Sequence, residues 1–143
     1  MTEDIKLSKL KIINNVDGDV LHALKKSSID FKNFGEAYFS EVKYGSIKGW
    51  KRHRIMTLNL VVPVGEIKFV AYDDRNRESP FFKEFVLSRY NFFRLTVPPM
   101  IWLGFKGMCK NGSMLLNIAD IEHDPSESDN LQLDEIYYKW TDK

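Results

Sequence analysis

The chain has 143 residues, of which 43% are hydrophobic and 13% aromatic, and its 21 Lys and Arg nearly balance its 20 Asp and Glu. This length is typical of one domain with a substantial core, and a net charge of +1 excludes recruitment of nucleic acid or an anionic membrane by overall charge. The single cysteine, Cys109, forms neither an internal disulfide nor a thiolate metal cluster, which indicates a reducing compartment.

The N-terminus, Met1 to Lys6, is charged and lacks the apolar run of a signal peptide. No later segment has the length and apolar character that a membrane-spanning helix needs. We therefore expect a cytoplasmic protein with no nucleic acid partner and no membrane partner.

The predicted elements are short strands separated by turns. Residues 5–13 indicate a strand, and residues 20–26 fit one helical turn or a short strand equally well. Residues 36–42 have the aromatic and β-branched content of a strand.

The central segment, residues 45–70, predicts antiparallel strands around a turn at Gly65 and Glu66. Strict alternation of side chains gives two faces. The polar face carries Lys51, His53, Thr57 and Asn59. The apolar face carries Trp50, Met56, Leu58 and Leu60. The polar face either meets water or lines the ligand-holding interior of a barrel.

The second half continues with short strands. After a charged loop closed by Pro80, further strands are predicted at residues 81–87, 94–97, 102–108 and 113–118. Asn111-Gly112 is a strong hairpin signal, and residues 133–140 predict a short helix or a strand that packs aromatic side chains over the barrel. This spacing favours a sandwich or barrel in one domain, 1–143, with an N-terminal strand and loop segment, 1–33, and a core, 34–140.

Four segments together resemble the dTDP-4-dehydrorhamnose 3,5-epimerase family, in order and approximate spacing. They are Gly49–His53, Val64–Glu66 with Asp73–Arg75, Val97–Pro99 with Trp102–Phe105, and His123–Pro125. The resemblance covers about residues 34–140 and is strongest to short members that carry lysine in the Gly-Trp-Lys segment. It implies an all-β, cupin-like double-stranded β-helix, or jelly roll, with minor helical segments.

The resemblance also implies chemistry next to a sugar ketone. In this family a histidine base removes the proton beside the C4 carbonyl, and a tyrosine reprotonates the opposite face of the sugar. In an ungapped register the histidine falls on Lys51 and the tyrosine on Leu116. Lys51 and His53 are therefore the candidate bases, and the alternatives for Lys51 are an anion clamp and an ion-pair partner on a wet strand.

The candidate substrate-binding residues combine the resemblance with the chemistry of the side chains. They are Phe39, Glu41, Lys48, Thr57, Asn59, Tyr72, Arg75, Trp102, Asn117, Glu122 and His123. Lys48 matches a residue that holds the diphosphate, and Glu122 or Tyr72 is a candidate acid. For Asp73–Arg75 we favour an ion-paired turn, and for His123-Asp124 a turn, over substrate contact.

A metal site is not expected. The related nucleotide-sugar 3,4-ketoisomerases carry two histidines spaced by one residue, of which this chain keeps His53. Because Lys51 and Leu103 stand at the other ligand positions of metal-binding cupins, we predict no metal and no other cofactor.

The sequence therefore predicts an epimerase or isomerase of a nucleotide-linked 4-keto-6-deoxy sugar, carried by dTDP or another nucleoside diphosphate, in the synthesis of a surface polysaccharide such as lipopolysaccharide O-antigen. The alternative is a non-catalytic cupin that binds a sugar nucleotide or a partner enzyme. We expect a homodimer, in which the apolar face of the central segment serves strand exchange or sheet packing between subunits.

Overall fold

The computed structural model describes residues 3–141, which form twelve strands and two 3₁₀ turns, at Pro125–Glu127 and Leu133–Glu135. The strands are β1 Lys6–Lys9, β2 Ile12–Ile13, β3 Val20–Leu21, β4 Glu36–Val42, β5 Ile47–His53, β6 Leu58–Val64, β7 Glu66–Asp73, β8 Phe81–Ser88, β9 Phe93–Val97, β10 Trp102–Gly107, β11 Ser113–Ala119 and β12 Ser128–Asn130. The predicted all-β class is confirmed.

The strands form two five-stranded antiparallel sheets and one small β2–β3 pair. Sheet one has the order β1-β9-β6-β11-β4, and sheet two has the order β12-β5-β10-β7-β8. From β4 to β12 the chain alternates between the two sheets, as in a jelly roll, except that β7 and β8 pair with each other in sheet two. The predicted jelly roll is confirmed.

Two apolar clusters hold these layers. Side chains such as Leu60, Phe69 and Leu95 fill the space between the sheets and are almost fully buried. On the outer face of sheet two, Trp50 and Trp140 belong to a second cluster, formed where the C-terminal residues cross the sheet. The tail therefore packs its aromatic side chains over the sheet as predicted, in extended backbone after the 3₁₀ turn.

Two predicted strand pairings are wrong. β6 and β7 lie in different sheets, so Gly65 makes a sheet-to-sheet corner and not a hairpin turn. A Cβ at Gly65, whose φ is 82°, would lie 2.3 Å from Ser113 Oγ. Asn111-Gly112 likewise forms a turn, but it connects β10 in sheet two to β11 in sheet one.

The prediction of which side chains share a face is correct within β5 and wrong for the residues that follow it. Lys51 and His53 point between the sheets, whereas Trp50 packs on the outer face of sheet two. Residues 54–57 carry the chain to the other sheet without a strand, and alternation is lost there. As a result Leu58 and Leu60 share the interior with Lys51 and His53.

The residues predicted to pack between subunits lie inside the chain. Trp50, Met56, Leu58 and Leu60 are all buried within a single copy. The predicted packing of this face between the sheets of two subunits is therefore wrong, whereas strand exchange and a homodimer stay predictions.

A buried polar network joins the N-terminal segment to the outer side of sheet one. Arg94 donates to Asp30 Oδ2 and to Asn59 Oδ1, at 3.0 Å each, and to the carbonyl oxygen of Ala23 at 3.0 Å. Thr96 donates to the same Asn59 oxygen at 2.6 Å. These contacts use Asn59 for structure, on the side of the sheet away from Lys51.

Candidate active site

A cavity of about 560 Å³ opens between the two sheets. Its walls are strands of both sheets, and one rim is formed by the chain that follows the first 3₁₀ turn. The lining residues are Tyr38, Ser40, Lys48, Gly49, Trp50, Lys51, His53, Leu58, Leu60, Leu103, Phe105, Leu115, Asn117, Asn130, Leu131, Gln132 and Glu135. A pocket of this size, lined by both apolar and polar side chains, is typical of a small-molecule site.

The sheet-two wall is basic, because β5 points Lys51 and His53 into the cavity. Two residues of a strand span about 7 Å, so the two side chains can contact adjacent groups of one ligand. No carboxylate among residues 3–141 forms an ion pair with Lys51. Lys48, at the start of the same strand, donates to the carbonyl oxygen of Glu41 at 3.1 Å.

Glu127 holds the imidazole of His53. The distance from His53 Nδ1 to Glu127 Oε1 is 2.5 Å, and Glu127 is only 4% exposed. The other carboxylate oxygen accepts from the backbone N–H groups of Ile55 and Met56, at 3.0 and 3.1 Å. A carboxylate that accepts from Nδ1–H leaves the lone pair on Nε2, the nitrogen that can then act as a base in the cavity.

Opposing effects act on the Glu127 carboxyl. Burial alone raises its pKa, but the hydrogen bond to His53 and those from the backbone of Ile55 and Met56 outweigh burial and lower the pKa of Glu127. The group is therefore an anion at neutral pH. A fixed anion at Nδ1 favours the protonated imidazole that forms when Nε2 takes a proton.

Residues 125–135, here called the closing segment, bring Glu127 to this position. Their strand β12 pairs with β5, with Ser128 opposite His53 and Asn130 opposite Lys51. Leu131 and Trp50 exchange two backbone hydrogen bonds, and Trp50 Nε1 donates to the Leu133 carbonyl oxygen at 3.2 Å. The closing segment therefore both forms the rim of the cavity and supplies the partner of its histidine.

A surface ion-pair cluster fixes the other side of the closing segment. Asp129 accepts from Arg52 Nη2 at 2.7 Å and also pairs with Arg54. Hydrogen bonds from the two guanidinium groups lower the pKa of Asp129 to about 2, and the one from Arg54 has the larger effect. The Arg52 side chain also lies over the Trp102 ring, 4.6 Å from its centroid.

The sheet-one wall is mostly apolar, with one polar pair. Leu58, Leu60 and Leu115 cover much of it. Between them Asn117 Nδ2 donates to Tyr38 Oη at 2.8 Å. The Asn117 Oδ1 atom is buried and has no hydrogen-bond partner in the described chain.

Four of the predicted site residues lie together in the cavity: Lys48, Lys51, His53 and Asn117. Leu116, where an ungapped register places the family's tyrosine, is not among the lining residues. Its neighbours Leu115 and Asn117 are, because alternate side chains of β11 point to opposite faces of sheet one.

The remaining predicted residues lie outside the cavity. Phe39 lies between two cavity-lining residues of β4 and is exposed on the other face. Glu41 contributes its backbone carbonyl to Lys48, and Thr57 and Asn59 lie on the outer side of sheet one.

Tyr72 and Trp102 line a separate cleft on the outer face of sheet two. Arg75 is paired with Asp73 at 2.8 and 2.9 Å, which confirms the ion-paired turn. Glu122 and His123 are exposed in the loop after β11. Asp124 accepts from the backbone N–H and the hydroxyl of Ser126, so the turn favoured there is confirmed.

The sequence interpretation missed Tyr38 and Glu127 as site residues. Tyr38 could have been found from alternation in β4, since Tyr38 and Ser40 share the inward face. Glu127 lies 74 residues from His53 in a polar tail, and no local pattern predicts that contact.

Residues 3–141 contain no group of three His, Cys, Asp or Glu side chains arranged to hold a metal ion. The same residues include no helix with the length and hydropathy required to cross a bilayer.

Residues 3–135 match the family described as "FdtA: WxcM-like, C-terminal". A structure of a dTDP sugar isomerase from Desulfovibrio desulfuricans G20 is 38% identical, with a TM-score of 0.91 over 96% of this chain and 91% of that chain. The probable low-salt glycan biosynthesis epimerase Agl13 of Haloferax volcanii is 26% identical over 131 residues, which is 88% of this chain and 83% of that protein.

A more distant structure shares the fold. It is QdtA, a sugar 3,4-ketoisomerase from Thermoanaerobacterium thermosaccharolyticum in complex with TDP. The identity is 20% and the TM-score 0.76, over 94% of this chain and 93% of that chain.

Proposed function

Because this chain belongs to the FdtA family (WxcM-like, C-terminal), we propose that it is an epimerase or isomerase of a nucleotide-linked 4-keto-6-deoxy sugar. The resemblance to cupin-like sugar-nucleotide epimerases and isomerases is confirmed by the family match and by the Desulfovibrio structure. The dTDP sugar isomerase and the TDP complex of QdtA support a thymidine nucleotide as the carrier. The glycan biosynthesis epimerase of Haloferax supports a role in glycan assembly, which we extend to a surface polysaccharide such as O-antigen.

The contact between His53 and Glu127 carries the proposal. A histidine whose Nδ1 is bound by a buried carboxylate, and whose Nε2 is free in a cavity, has the arrangement of a general base. Lys51 lacks such a partner. We therefore assign proton abstraction to His53.

The two lysines on the same strand provide positive charge for the rest of the substrate. Abstraction of the proton next to the ketone places negative charge on the C4 oxygen, and an ammonium group nearby stabilises it. Lys51, two residues from His53 on the same face, is placed for that role. Lys48, near the start of β5, is placed to contact the diphosphate.

The apolar part of the cavity fits a deoxy sugar. Leu58, Leu60 and Leu103 line it with methyl groups that cannot satisfy hydroxyls. A 6-deoxy sugar has a methyl group in place of the hydroxymethyl group at C6, and burial of that methyl group against leucine side chains is favourable.

The test is proton exchange in deuterated water with dTDP-4-keto-6-deoxyglucose, followed by NMR. We expect wild-type protein to introduce deuterium at a carbon next to the ketone. We expect His53→Ala to lose about 10²-fold or more of that rate. His22→Ala, a histidine outside the cavity, is the matched control.

Lys51→Ala separates the two sheet-two residues. If Lys51 stabilises the enolate, its loss slows exchange but leaves His53 active. If exchange depends on Lys51 and is unaffected in His53→Ala, Lys51 is the base and our assignment is wrong. Saturable ligand broadening without any exchange by wild type would support a non-catalytic sugar-nucleotide binding protein instead.

A further inference from the structure

A row of four side chains crosses the outer face of sheet two. Residues on β5, β10, β7 and β8 stand directly opposite one another in the strand pairing, namely Arg52, Trp102, Tyr72 and Phe82. Directly opposite residues of antiparallel strands share one face of the sheet, and the ring centroids of Tyr72 and Phe82 lie 4.7 Å apart. The Arg52 guanidinium carbon lies 4.6 Å from the Trp102 ring centroid, so the row is an aromatic floor with a cation at one end.

The C-terminal residues cover the neighbouring row of sheet two and leave this row open. In the neighbouring row Gly104 is opposite Val70, and a Cβ at Gly104 would lie 3.2 Å from Trp140 Cζ2. Beside the aromatic floor the chain instead forms a wall, through Ile136 and Tyr137. The result is a cleft of about 440 Å³, here called the outer cleft, whose volume is within the range of small-molecule sites.

The charges of the outer cleft disfavour an anionic ligand. Asp74 and Glu135 line the cleft together with the rings. The Asp74 carboxylate has no hydrogen-bond or ion-pair partner among residues 3–141, whereas Arg52, the cation of the floor, is already bound by Asp129 at 2.7 Å. Two carboxylates repel a phosphate or a nucleoside diphosphate, and they can accept hydrogen bonds from a ligand that carries donors.

An uncharged sugar ring has the surface that this cleft complements. One face of a pyranose consists of C–H groups, and hydroxyl groups surround the ring. Contact of the C–H face with Tyr72 and Phe82 removes apolar surface from water. The hydroxyls at the ring edge can donate to the carboxylates of the cleft. An organic cation fits less well, because the Arg52 guanidinium repels a second positive charge over the same floor.

We propose that the outer cleft is a second binding site, which holds an uncharged pyranose ring of a sugar or glycan. Tyr72 and Phe82 contact the C–H face of the ring, and Asp74 and Glu135 accept hydrogen bonds from its hydroxyls. Two residues that the sequence assigned to substrate binding, Tyr72 and Trp102, thereby belong to a different site.

The outer cleft and the cavity of the candidate active site lie on opposite faces of sheet two. Arg52 points into the cleft, whereas its neighbours Lys51 and His53 point into the cavity. The closing segment separates the two spaces, since Leu131 and Glu135 line both. The inference does not rest on the proposed function, because binding in the cleft needs neither a keto group nor proton transfer.

The test is saturation-transfer-difference NMR of the full chain with the methyl pyranosides of glucose, galactose and rhamnose. We expect transfer to the ring C–H protons of at least one pyranoside, whose Kd is then obtained by titration. Excess dTDP should leave these signals unchanged, because the nucleotide is an anion and the cleft carries two carboxylates. If dTDP abolishes them, the sugar occupies the cavity and the inference is wrong.

Phe82→Ala and Phe81→Ala form a matched pair of variants on β8. Phe82 lines the cleft and is 38% exposed, whereas Phe81 is 45% exposed and does not line it. We expect the Kd to rise about fivefold or more in Phe82→Ala, from loss of the ring contact, and to stay unchanged in Phe81→Ala. Thermal unfolding shows whether both proteins keep their fold. Equal effects of the two substitutions would contradict the aromatic floor.

Asp74→Asn tests the hydrogen bonds to the hydroxyls. The amide keeps the shape of the side chain and one acceptor but loses the charge, so we expect a Kd about fivefold higher. Asp17→Asn changes an exposed carboxylate in the turn before β3, outside the cleft, and should have no effect. An unchanged Kd in Asp74→Asn would contradict the assigned hydrogen bonds.

Two other results overturn the inference. Absence of transfer to any of the three pyranosides would show that the cleft holds no sugar ring. Displacement of a pyranoside by choline at an equal concentration would make the cleft a site for organic cations. Neither result bears on deuterium exchange beside a ketone, and a wild-type protein that exchanges nothing leaves sugar binding in the outer cleft untouched, so the two proposals fail separately.

Discussion

Two ionic networks attach chain segments to the sheets, and they differ in burial. Arg94 and Asp30, which hold the N-terminal segment on sheet one, are each 4% exposed. Arg52, Arg54 and Asp129, which hold the closing segment on sheet two, have side chains that are 23%, 53% and 21% exposed. Removing the partner of a buried charge costs far more folding free energy than removing the partner of an exposed charge. The first network therefore contributes more to stability than the second.

The carboxyls of the two networks show the same difference. Burial raises the pKa of Asp30, and hydrogen bonds from Ser8 and Arg94, with the Lys6 charge, reverse that effect and lower it. For Asp129 the hydrogen bonds from Arg54 and Arg52 are the main cause of its lowered pKa. Burial therefore makes Asp30 dependent on its partners, whereas water can replace those of Asp129.

The largest expected effect follows from removing the buried guanidinium. Arg94→Leu leaves Asp30 as a buried carboxylate whose remaining partners among residues 3–141 are the Ser8 hydroxyl at 3.1 Å and Lys6 Nζ at 3.4 Å. We expect a loss of about 3–5 kcal/mol in the free energy of unfolding, measured by urea denaturation. Arg89→Leu removes a partly exposed arginine paired with Asp19 and should cost less than about 1 kcal/mol. Equal losses would contradict the comparison.

Glu127→Gln is expected to have the next largest effect, on activity. The glutamine amide oxygen can still accept from the backbone of Ile55 and Met56, but the negative charge beside His53 is gone. We expect the rate of deuterium entry to fall about 10²-fold. Glu78→Gln, in the exposed loop after β7, should leave the rate unchanged. A Glu127→Gln protein with wild-type exchange would show that His53 does not need the carboxylate.

The smallest expected effect is on the free energy of unfolding, when Asp129 is replaced and the pH is lowered. Its pKa is about 2 in the folded chain against an ordinary value of 3.8, so the stability it contributes is present above pH 3.8 and is lost as pH falls toward 2. We expect Asp129→Asn to cost less than about 1 kcal/mol at pH 7 and progressively less as the pH falls through 2. Urea unfolding of both proteins across this range gives the difference, and a difference that grows with acid would refute the assignment.

The sequence was informative where local patterns decide the structure. Strand β4 follows from its aromatic and β-branched residues, and alternation within β5 correctly paired Lys51 with His53. Prediction from the sequence failed where the chain passes from one sheet to the other. Residues 54–57 and Gly65 interrupt alternation and pairing, and no period extends across such a corner.

The missing parts of the site have the same origin. Glu127 contacts His53, and Tyr38 contacts Asn117, only because segments distant in sequence are neighbours in space. The Glu127 contact spans 74 residues and the Tyr38 contact spans 79. The family resemblance supplied the fold and the position of β5, but its ungapped register pointed to Leu116, which lies on the face of β11 opposite to the cavity-lining Leu115 and Asn117.

The closing segment also sets the order in which the protein can become active during its synthesis. Strand β5 emerges from the ribosome long before residues 125–135, and β12 pairs with β5 at the edge of an otherwise formed sheet. Both sheets can assemble around the cavity while His53 still lacks its carboxylate. Competence for proton transfer therefore waits for residues that follow all eleven other strands, and a chain that stops before Glu127 would present the cavity without the carboxylate partner of His53.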